Sequence, residues 1–508
     1  MRFKKFFIVI CLIMVLFTVA SVDAGDVSDD VVASVDAGDV DDVVVASDDT
    51  QNENISVSDN ENILTFDHRA MTILQDHLNQ CIDDPTWNTF NMATDYSYNS
   101  EEDSALIGGI TIAGSVTIEG NGHKIDGRGK MRIFQITNGA TVIFKNLTFV
   151  NGWTAQYGYG GAIWNNGANV TVINCHFINN TAYDGGALSN VKAENCTFVN
   201  NFGVYRGGAI YSGSAVNCSF VYNNAIYGGA IFESFVQNCS FINNRAEQGG
   251  AICYIDNNDS IINCSFVNST ANFGGAIYFK NKCTVTNSSF VNNRANSDGG
   301  AVYFETEGSA VPDCFVQNCS FANNFAKEGG GAIYKIYAQN CSFVNNSADV
   351  GGAMIYGSAQ NCSFINNSAN QGGAMHYGSA QNCSFINNSA DVGGAMIYGS
   401  AQNCSFVNNT ARLGGAMYFV SAVNSSFINN TGTRGGAIYL GSAQKCSFIN
   451  NSADVGGASY AAAAVNCSFV NNDADKEGRA MYLGSAQNCS FVNNDAIQTK
   501  IEFYNVND

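Results

Sequence analysis

Thirteen of the 18 cysteines occur at one position of a repeating pattern, a spacing that could support disulfides, metal ligation or buried thiols. They are Cys175, Cys196, Cys218, Cys239, Cys264, Cys319, Cys341, Cys362, Cys383, Cys404, Cys446, Cys467 and Cys489. Ser288 and Ser425 fill the same position in two other repeats. Side chains in register on parallel strands lie farther apart than an ideal disulfide requires, and one cysteine per repeat lacks the clustered spacing of zinc sites. We therefore expect buried free thiols that act as small apolar groups, with disulfides as the alternative, and neither a metal site nor a cofactor.

A second set of residues could support acid–base chemistry. It comprises His123, Lys124, Asp126 and Arg128, the only dense polar group near the repeats. Lyases and hydrolases that cleave polysaccharides need paired carboxylates, or acids with Lys or Arg around a metal. We find no such constellation, and Asp349, Asp391 and Asp454 recur at equivalent turn positions, as scaffold residues do. We therefore expect no catalytic residues, and a polysaccharide lyase or glycoside hydrolase is the alternative.

Aromatic side chains form the third set. Two of the three tryptophans lie in a short stretch with two tyrosines, as Trp153, Tyr157, Tyr159 and Trp164. A further series lies two places after a repeated Gly-Gly-Ala: Tyr211, Phe232, Tyr278, Tyr303, Tyr334, Tyr418, Tyr439 and Tyr482. Strand alternation should turn this series outward, where it could contact carbohydrate or a partner protein. The alternative is that the rings stack between neighbouring repeats, or that the loop near Trp153 only packs on the scaffold.

The elements that carry these residues repeat with a period of 21. One copy is GGAMIYGSAQNCSFINNSANQ, residues 351–371, and the intervals between successive repeat phenylalanines from Phe343 to Phe469 are all 21 residues. This period, with many glycines and no helical periodicity, indicates one coil of a β-solenoid per repeat. Leucine-rich repeats share the length, but they need leucines that this motif lacks. The sequence thus predicts an all-β fold: a right-handed, single-stranded parallel β-helix of about 17 coils, with the hand following from the preference of parallel crossovers.

Stacked coils bring equivalent residues into columns that share one environment. The residue after Gly-Gly-Ala is apolar in almost every copy and should point inward. Alternation in the following strand predicts an inner phenylalanine column and an inner cysteine column, while the second asparagine after each phenylalanine should form an amide ladder. Representative members are Phe343, Phe364, Phe385 and Phe406; Cys341, Cys362, Cys383 and Cys404; and Asn346, Asn367 and Asn388.

Four segments are expected along the chain. Residues 1–24, with a basic start and an apolar run, resemble a signal peptide, and residues 25–61 form an acidic low-complexity linker. Residues 62–104 should cap the solenoid, with an amphipathic helix over Phe66–Gln80, and residues 105–508 should form the β-helix. The sequence IQTKIEFYNV near the end could be a closing strand. Asn54 and Asn258, outside the regular pattern, are the better candidates for glycosylation.

The net charge of −20 makes nucleic acid an unlikely partner on electrostatic grounds. Thirteen carboxylates and no Lys or Arg lie between Asp23 and Glu61, so the rest of the chain is only mildly acidic. Together with the leader, this composition predicts an exported protein that is extracellular or held at the cell surface.

The motifs GGAI at Gly207 and FINN at Phe364 resemble the repeats of chlamydial polymorphic outer membrane proteins. They look closer still to the adhesin-like proteins of methanogenic archaea, which also carry an opening like GNGHKIDG, residues 120–127 here. The resemblance covers roughly residues 105–495. It implies surface display and attachment to glycans or proteins of another cell, without enzymatic activity or a cofactor. A structural surface-layer spacer is a further alternative.

Overall fold

The computed structural model describes residues 69–84, 88–137, 139–155, 157–254, 260–280, 284–305, 314–494 and 502–503. The chain winds into a parallel β-solenoid of about 17 turns, mostly strand, with one helix near its N-terminus. This architecture confirms the predicted fold class. The right-handed sense stays a prediction.

The helix α1, Met71–Asp83, lies against the first strands of the solenoid. Its buried residues are Met71, Leu74, Leu78 and Cys81, which are spaced to form one face. The carboxylate of Asp103 accepts the backbone N–H groups of Met71 (3.0 Å) and Thr72 (2.8 Å), so a residue far along the chain caps the helix. The helix therefore begins later than the predicted Phe66, which lies outside the described residues. A short 3₁₀ turn spans Ser104–Leu106.

Each complete coil contributes strands to up to three parallel sheets, which we call A, B and C. Sheet A carries the phenylalanine column in strands of two or three residues. Its strands are Tyr96–Ser97, Lys124–Asp126, Thr148–Val150, His176–Ile178, Thr197–Val199, Ser219–Val221, Ser240–Ile242, Ser265–Val267, Ser289–Val291, Ser320–Ala322, Ser342–Val344, Ser363–Ile365, Ser384–Ile386, Ser405–Val407, Ser426–Ile428, Ser447–Ile449, Ser468–Val470 and Ser490–Val492.

Sheet B follows the Gly-Gly-Ala motif, either as one long strand per coil or as two shorter ones. Its strands are Thr89–Asn91, Ile110–Ile112, Val116–Glu119, Phe134–Ile136, Thr141–Lys145, Ile163–Asn165, Asn169–Ile173, Leu188–Glu194, Ile210–Val216, Ile231–Gln237, Ile252–Tyr254, Ser260–Ile262, Ile277–Phe279, Thr284–Thr286, Val302–Phe304, Phe315–Gln317, Ile333–Tyr334, Tyr337–Gln339, Met354–Ile355, Ser358–Gln360, Met375–Gln381, Met396–Gln402, Met417–Val423, Ile438–Gln444, Ser459–Val465, Met481–Tyr482, Ser485–Gln487 and Glu502–Phe503.

Sheet C lies between the asparagine pair and the next Gly-Gly and is interrupted along the rod. Its strands are Thr181–Asp184, Phe202–Arg206, Thr270–Ala271, Arg294–Ala295, Phe325–Ala326, Ser389–Val392, Thr410–Leu413, Thr431–Arg434, Ser452–Val455 and Asp473–Glu477. Isolated parallel bridges, such as Ser347 with Ser368, continue the same pairing between these pieces.

The core consists of the predicted columns. From Phe149 to Phe491 the repeat phenylalanines stack with ring centroids 4.7–4.9 Å apart and planes within 7° of parallel. That spacing equals the distance between paired strands, so the rings follow the coils one for one. The residue after Gly-Gly-Ala is buried as expected, and Ser459 is buried in this column although it is polar.

Left-handed backbone conformations make the corners of each coil. In one coil Gly351, Tyr356, Asn361 and Asn366 have φ of 62°, 54°, 54° and 55°. Asparagine and glycine are the residues that adopt this region most readily, which explains two columns of asparagine and one of glycine. At the second glycine of the motif, Gly352, a Cβ atom would lie 2.1 Å from the carbonyl oxygen of Gly373 in the next coil, so no side chain fits there.

The last described strand, Glu502–Phe503, pairs in parallel with Ser485–Gln487, in agreement with the expected closing strand. Among the described residues, no helix is long and apolar enough to cross a bilayer. The predicted signal peptide and acidic linker lie outside the described residues, as do Asn54 and Asn258. The segment boundaries proposed from the sequence stay predictions.

Candidate binding surfaces

The cysteine column is a hydrogen-bonding element of the corner between sheets B and A. The N–H of Cys341 donates to Sγ of Cys362 in the next coil (3.4 Å), and the N–H of Cys362 donates to Sγ of Cys383 (3.4 Å). Sγ of Cys362 also lies 3.2 Å from the carbonyl oxygen of Gln360. The thiols thus have a polar role beyond the apolar one that we expected.

Serine can take this place because its hydroxyl makes the same two bonds. Ser288 Oγ accepts the N–H of Cys264 (3.1 Å) and donates to the carbonyl of Thr286 (2.9 Å). The cysteines among the described residues are all free thiols. The hydrogen bond with Cys341, followed by burial, raises the pKa of the Cys362 thiol to about 12. Cys362 is buried, and both its N–H and its Sγ form hydrogen bonds along the column, so the column functions as scaffold.

The asparagine ladder is buried and runs through successive coils on either side of Ser269, which takes the asparagine position in one coil. Oδ1 of Asn367 accepts both the N–H (3.0 Å) and the Nδ2–H (3.1 Å) of Asn346, and Nδ2 of Asn367 donates to the carbonyl of Phe343 (3.0 Å). The same three contacts recur at Asn388. Each amide thereby satisfies a backbone group at a corner where the strand ladder is interrupted.

The polar group near His123 holds the first coils together. Nδ1 of His123 lies 3.0 Å from Oδ1 of Asp95, which also accepts the N–H of Lys124 (3.0 Å). Burial alone would raise the pKa of Asp95, but the hydrogen bonds from Lys124 and His123 lower it. Asp126 accepts the N–H of Arg128 (2.8 Å) and Nδ2 of Asn151 (3.0 Å). Within the described part of the chain, no group of three or more His, Cys, Asp or Glu could hold a metal ion.

The aromatic series two places after Gly-Gly-Ala packs between coils. Tyr278 is only 3% exposed and Phe232 is buried, in a cluster with Cys253. These two residues lie outside the core cluster, as the outward orientation predicts, but they are not exposed because neighbouring rings cover them. The remaining predicted contacts are half-buried, and they stack as Tyr303 on Tyr334 (4.7 Å) and Tyr418 on Tyr439 (5.3 Å).

The exposed aromatic ladder lies one residue further along, at Tyr356, Tyr377, Tyr398 and Phe419. Successive ring centroids are 5.5, 4.8 and 6.0 Å apart. Tyr356, Tyr377 and Phe419 are 46%, 48% and 48% exposed, and Tyr398 between them is half-buried. All four residues have φ between 50° and 54°, and this left-handed corner turns their side chains away from the core. Alternation within the strand does not predict this change of direction, so sequence reasoning missed the ladder. A tyrosine directly before Gly-Ser in three consecutive copies was its only signal.

A groove of about 460 Å³ runs beside this ladder. Its lining includes Tyr356, Tyr377 and Tyr398, the glycine and serine that follow each of them, and Ile336 and Tyr337. The hydroxyl of Ser379 donates to that of Ser358 (2.8 Å), so the serines form a second ladder at the coil spacing. The groove presents hydroxyl groups, ring edges and no charged side chain.

The four aromatic residues predicted near the N-terminal end do not form one patch. Trp153, 37% exposed, lies beside Arg128, whereas Tyr157 is next to Tyr183, with ring centroids 5.0 Å apart. Tyr159 and Trp164 do come together, with ring centroids 6.1 Å apart and planes 24° from parallel.

Two arginines fix the region around Tyr159 and Trp164. Arg132 is buried and donates to the carbonyls of Tyr159 (3.0 Å) and Gly108 (3.0 Å), and burial lowers its pKa to about 10. Arg206 pairs with Asp184 through two hydrogen bonds of 3.0 and 2.7 Å. Its burial opposes the charged form, but the pair with Asp184 raises its pKa above the usual value. Both guanidinium groups are therefore occupied in holding the coil.

Comparison with known proteins identifies the repeat type. The Chlamydia polymorphic membrane protein (Chlamydia_PMP) repeat matches residues 238–255, 287–305 and 318–335. This confirms the predicted similarity to the chlamydial repeats, whereas the similarity to proteins of methanogenic archaea stays a prediction. No curated protein sequence matches the chain.

Solved structures with similar folds are distant in sequence. PfbA, a surface adhesin of Streptococcus pneumoniae, is 9% identical over 86% of this chain and 90% of its own, with a TM-score of 0.24. The tailspike protein 3 of bacteriophage CBA120 is 9% identical over 85% of this chain and 60% of its own, with a TM-score of 0.21. A complex of the alginate lyase AlyF-OU02 is 9% identical over 84% of this chain and 90% of its own, with a TM-score of 0.17.

Proposed function

We propose that this protein is an exported, adhesin-like rod at the cell surface that attaches to glycans or proteins of another cell and catalyses no reaction. The matched repeats are those of a membrane protein family, and the leader sequence would direct export. The proposal rests chiefly on one observation: the exposed ladder formed by Tyr356, Tyr377, Tyr398 and Phe419.

Folding alone does not explain aromatic residues at this corner. A left-handed conformation costs a residue with a Cβ atom roughly 1–2 kcal/mol, and an aromatic ring at the surface gains little from burial. The other corners of the same coils use asparagine and glycine, which adopt this conformation most readily. Local rules of this kind are typically broken where a surface serves binding. Eight consecutive coils, from Lys335 to Leu483, carry a residue other than asparagine or glycine at this corner, and the four from Tyr356 to Phe419 are aromatic. It is this aromatic run that forms contiguous apolar surface, which is typical of interaction sites.

The arrangement suits an extended partner. The aromatic and serine ladders repeat along the rod at the coil spacing, so a linear polymer or a flat surface could make the same contact at several coils. Weak contacts that are repeated and joined add to a large avidity. The carboxylates that could support acid–base chemistry near His123 are instead engaged in hydrogen bonds between the first coils.

The test replaces the three ladder tyrosines together, Tyr356→Asn, Tyr377→Asn and Tyr398→Asn. Asn190 already occupies this corner with φ of 58°, so we expect thermal stability to be unchanged or increased. Retention of the protein on intact cells and on immobilised plant, microbial and host polysaccharides should fall about tenfold or more, because three side chains lose their contacts together.

The matched control is Tyr439→Asn, a single change in the half-buried series one column away. It should reduce stability more than retention. Polymer length is measured in the same incubations. Shortened polymer would contradict the non-enzymatic proposal, and unchanged retention by the triple variant would contradict the role of the ladder. Retention of the wild-type protein by none of the cells or polymers would favour a structural spacer.

A further inference from the structure

Five cationic residues are grouped in one stretch of the N-terminal coils. Residues 120–183 contain five Lys or Arg and a single carboxylate, Asp126, whereas the whole chain has a net charge of −20. Glu119 and Asp184 border this stretch, so any attraction of an anion is local to individual side chains. It also contains Trp153 and Trp164, two of the three tryptophans.

A cavity of about 400 Å³ lies within this region. It is lined by Arg128, Asn151, Trp153, Asn179 and Thr181, on successive coils, together with Gly129 and Gly152. The volume is within the range of small-ligand sites, and the mixture of one cation, one aromatic ring, two amides and a hydroxyl is chemically varied.

Trp153 is held by its backbone while its indole ring remains accessible. Its N–H donates to the carbonyl of Met131 (2.8 Å), and it forms a parallel bridge with Thr181 of the next coil. The side chain is 37% exposed, and no aromatic ring in the described residues stacks on it. The ring can therefore offer a face to a ligand in the cavity.

Most of the guanidinium N–H donors of Arg128 remain available to a ligand. The backbone N–H of Arg128 donates to the carboxylate of Asp126 (2.8 Å), which holds the backbone at a corner where Arg128 has φ of 48°. The guanidinium donates to Ser97 Oγ (3.2 Å), and within the described part of the chain no carboxylate forms an ion pair with it. The carboxylate of Asp126 is instead shared among the Arg128 backbone, Asn151 and, at 3.9 Å, Lys124.

We propose that this cavity binds a carboxylate-bearing sugar of an acidic polysaccharide. Arg128 would pair with the carboxylate through its planar fork of donors, Trp153 would contact the apolar face of the sugar ring, and the exposed amide of Asn179 would bond a hydroxyl. The inference rests on the proposed attachment function and deepens it, since it assigns an acidic ligand to one end of the rod and leaves the neutral groove at Tyr377 for other contacts.

The experiment measures binding of polygalacturonate to the full chain by calorimetry, beside the same polymer fully methyl-esterified and a sulfated dextran. We expect binding to the free acid, loss on esterification, and weaker binding to the sulfate ester. Arg128→Asn should weaken binding to the free acid about tenfold or more, because a hydrogen-bonded charge pair is lost. Asparagine is chosen because it readily adopts the positive φ of this position.

Lys130→Ser is the matched control, because it removes one positive charge next to the cavity from a residue that does not line it. It should change the affinity less than about twofold at physiological salt. Equal losses of affinity in the Arg128 and Lys130 variants would show non-specific charge attraction and would overturn the site. Two other results would also overturn it: the methyl ester binding as tightly as the free acid, or the sulfate ester binding more tightly than the free acid. If the protein retains neutral polymers through the ladder but not the polyuronate, this inference fails while the proposed function stands. If it retains no cell or polymer at all, both fail.

Discussion

His376 occupies a position where the coils on either side carry Ile355 and Ile397. It is 6% exposed, and its ring lies edge-on to Tyr377, with centroids 4.5 Å apart. Its Nδ1 has no hydrogen-bond partner among the described residues. Burial lowers the pKa of His376 to about 4, so the folded protein holds the imidazole neutral.

This histidine should make the neighbouring coils less stable in acid. The unfolded chain binds a proton with a pKa near 6.5 and the folded chain only near 4, so stability falls as the pH drops from about 6.5 towards 4 and levels off below that. We expect the His376→Ile variant to lose about 1–2 kcal/mol less stability than the wild-type protein over this pH range, after allowance for partial screening. Hydrogen exchange of the amides around Met375, at about pH 7 and pH 4.5, would detect the difference as local opening free energy. An identical pH response in the two proteins would contradict the assignment.

At the scale of the element, the cysteine column predicts a contrast between two small substitutions. Cys362→Ser should cost less than about 1 kcal/mol, because Ser425 already accepts the N–H of Cys404 in the same column at 3.1 Å. Cys362→Ala should cost about 1–3 kcal/mol, because the buried N–H of Cys341 loses its acceptor. Exchange of the Cys341 amide would be faster in the alanine variant and nearly unchanged in the serine variant. Equal exchange in both would mean that the thiol acts only through its volume.

The predictions that succeeded depended on the repeat period. A strict interval of 21 aligns equivalent residues, so the phenylalanine ring column followed from counting along the sequence. The helix was displaced from its predicted start because Asp103, distant in sequence, caps it at Met71. Contacts between distant segments are not visible in local periodicity.

The aromatic surface was misplaced by one residue for a different reason. Strand alternation applies only while φ stays negative, and φ is positive at Tyr356 and at Tyr377, although the strand Met375–Gln381 continues through Tyr377. Both Met354 and Ile355 are then buried, and the next side chain turns outward. Tyrosine is an uncommon residue in this conformation, so residue type did not indicate the corner. The Arg128 and Trp153 cavity was also beyond the sequence, since it joins residues from successive coils.

At the scale of the whole molecule, stability is distributed along the rod. Each coil contacts only its neighbours, through the phenylalanine stack, the amide ladder and strand pairing, so the solenoid behaves as a series of similar units. Charge is distributed differently, because 13 of the 43 carboxylates lie in the first 61 positions, whereas residues 120–183 contain five Lys or Arg and one carboxylate. Binding sites of different chemistry can therefore occupy different coils without a change in the scaffold.

Removal of one complete coil tests this additivity. Deletion of residues 372–392 joins Gln371 to Gly393, which opens the next Gly-Gly-Ala motif. Phe364 would then stack on Phe406 and Asn367 would bond to Asn409, so every column remains continuous. We expect a folded protein with nearly unchanged thermal stability and a rod shorter by about 4.8 Å, measured by calorimetry and small-angle X-ray scattering.

The control deletes only residues 372–381. The shorter deletion removes less of the chain, but it moves the phenylalanine and cysteine columns out of register. Small and polar residues of the remaining partial coil would then pack against the core columns of the neighbouring coils. We expect loss of the near-ultraviolet signal of the packed rings and aggregation on heating. Two results would contradict this expectation: a folded protein after the shorter deletion, or an unfolded protein after deletion of the complete coil. Either would show that stability depends on particular coils and not on the register of the columns.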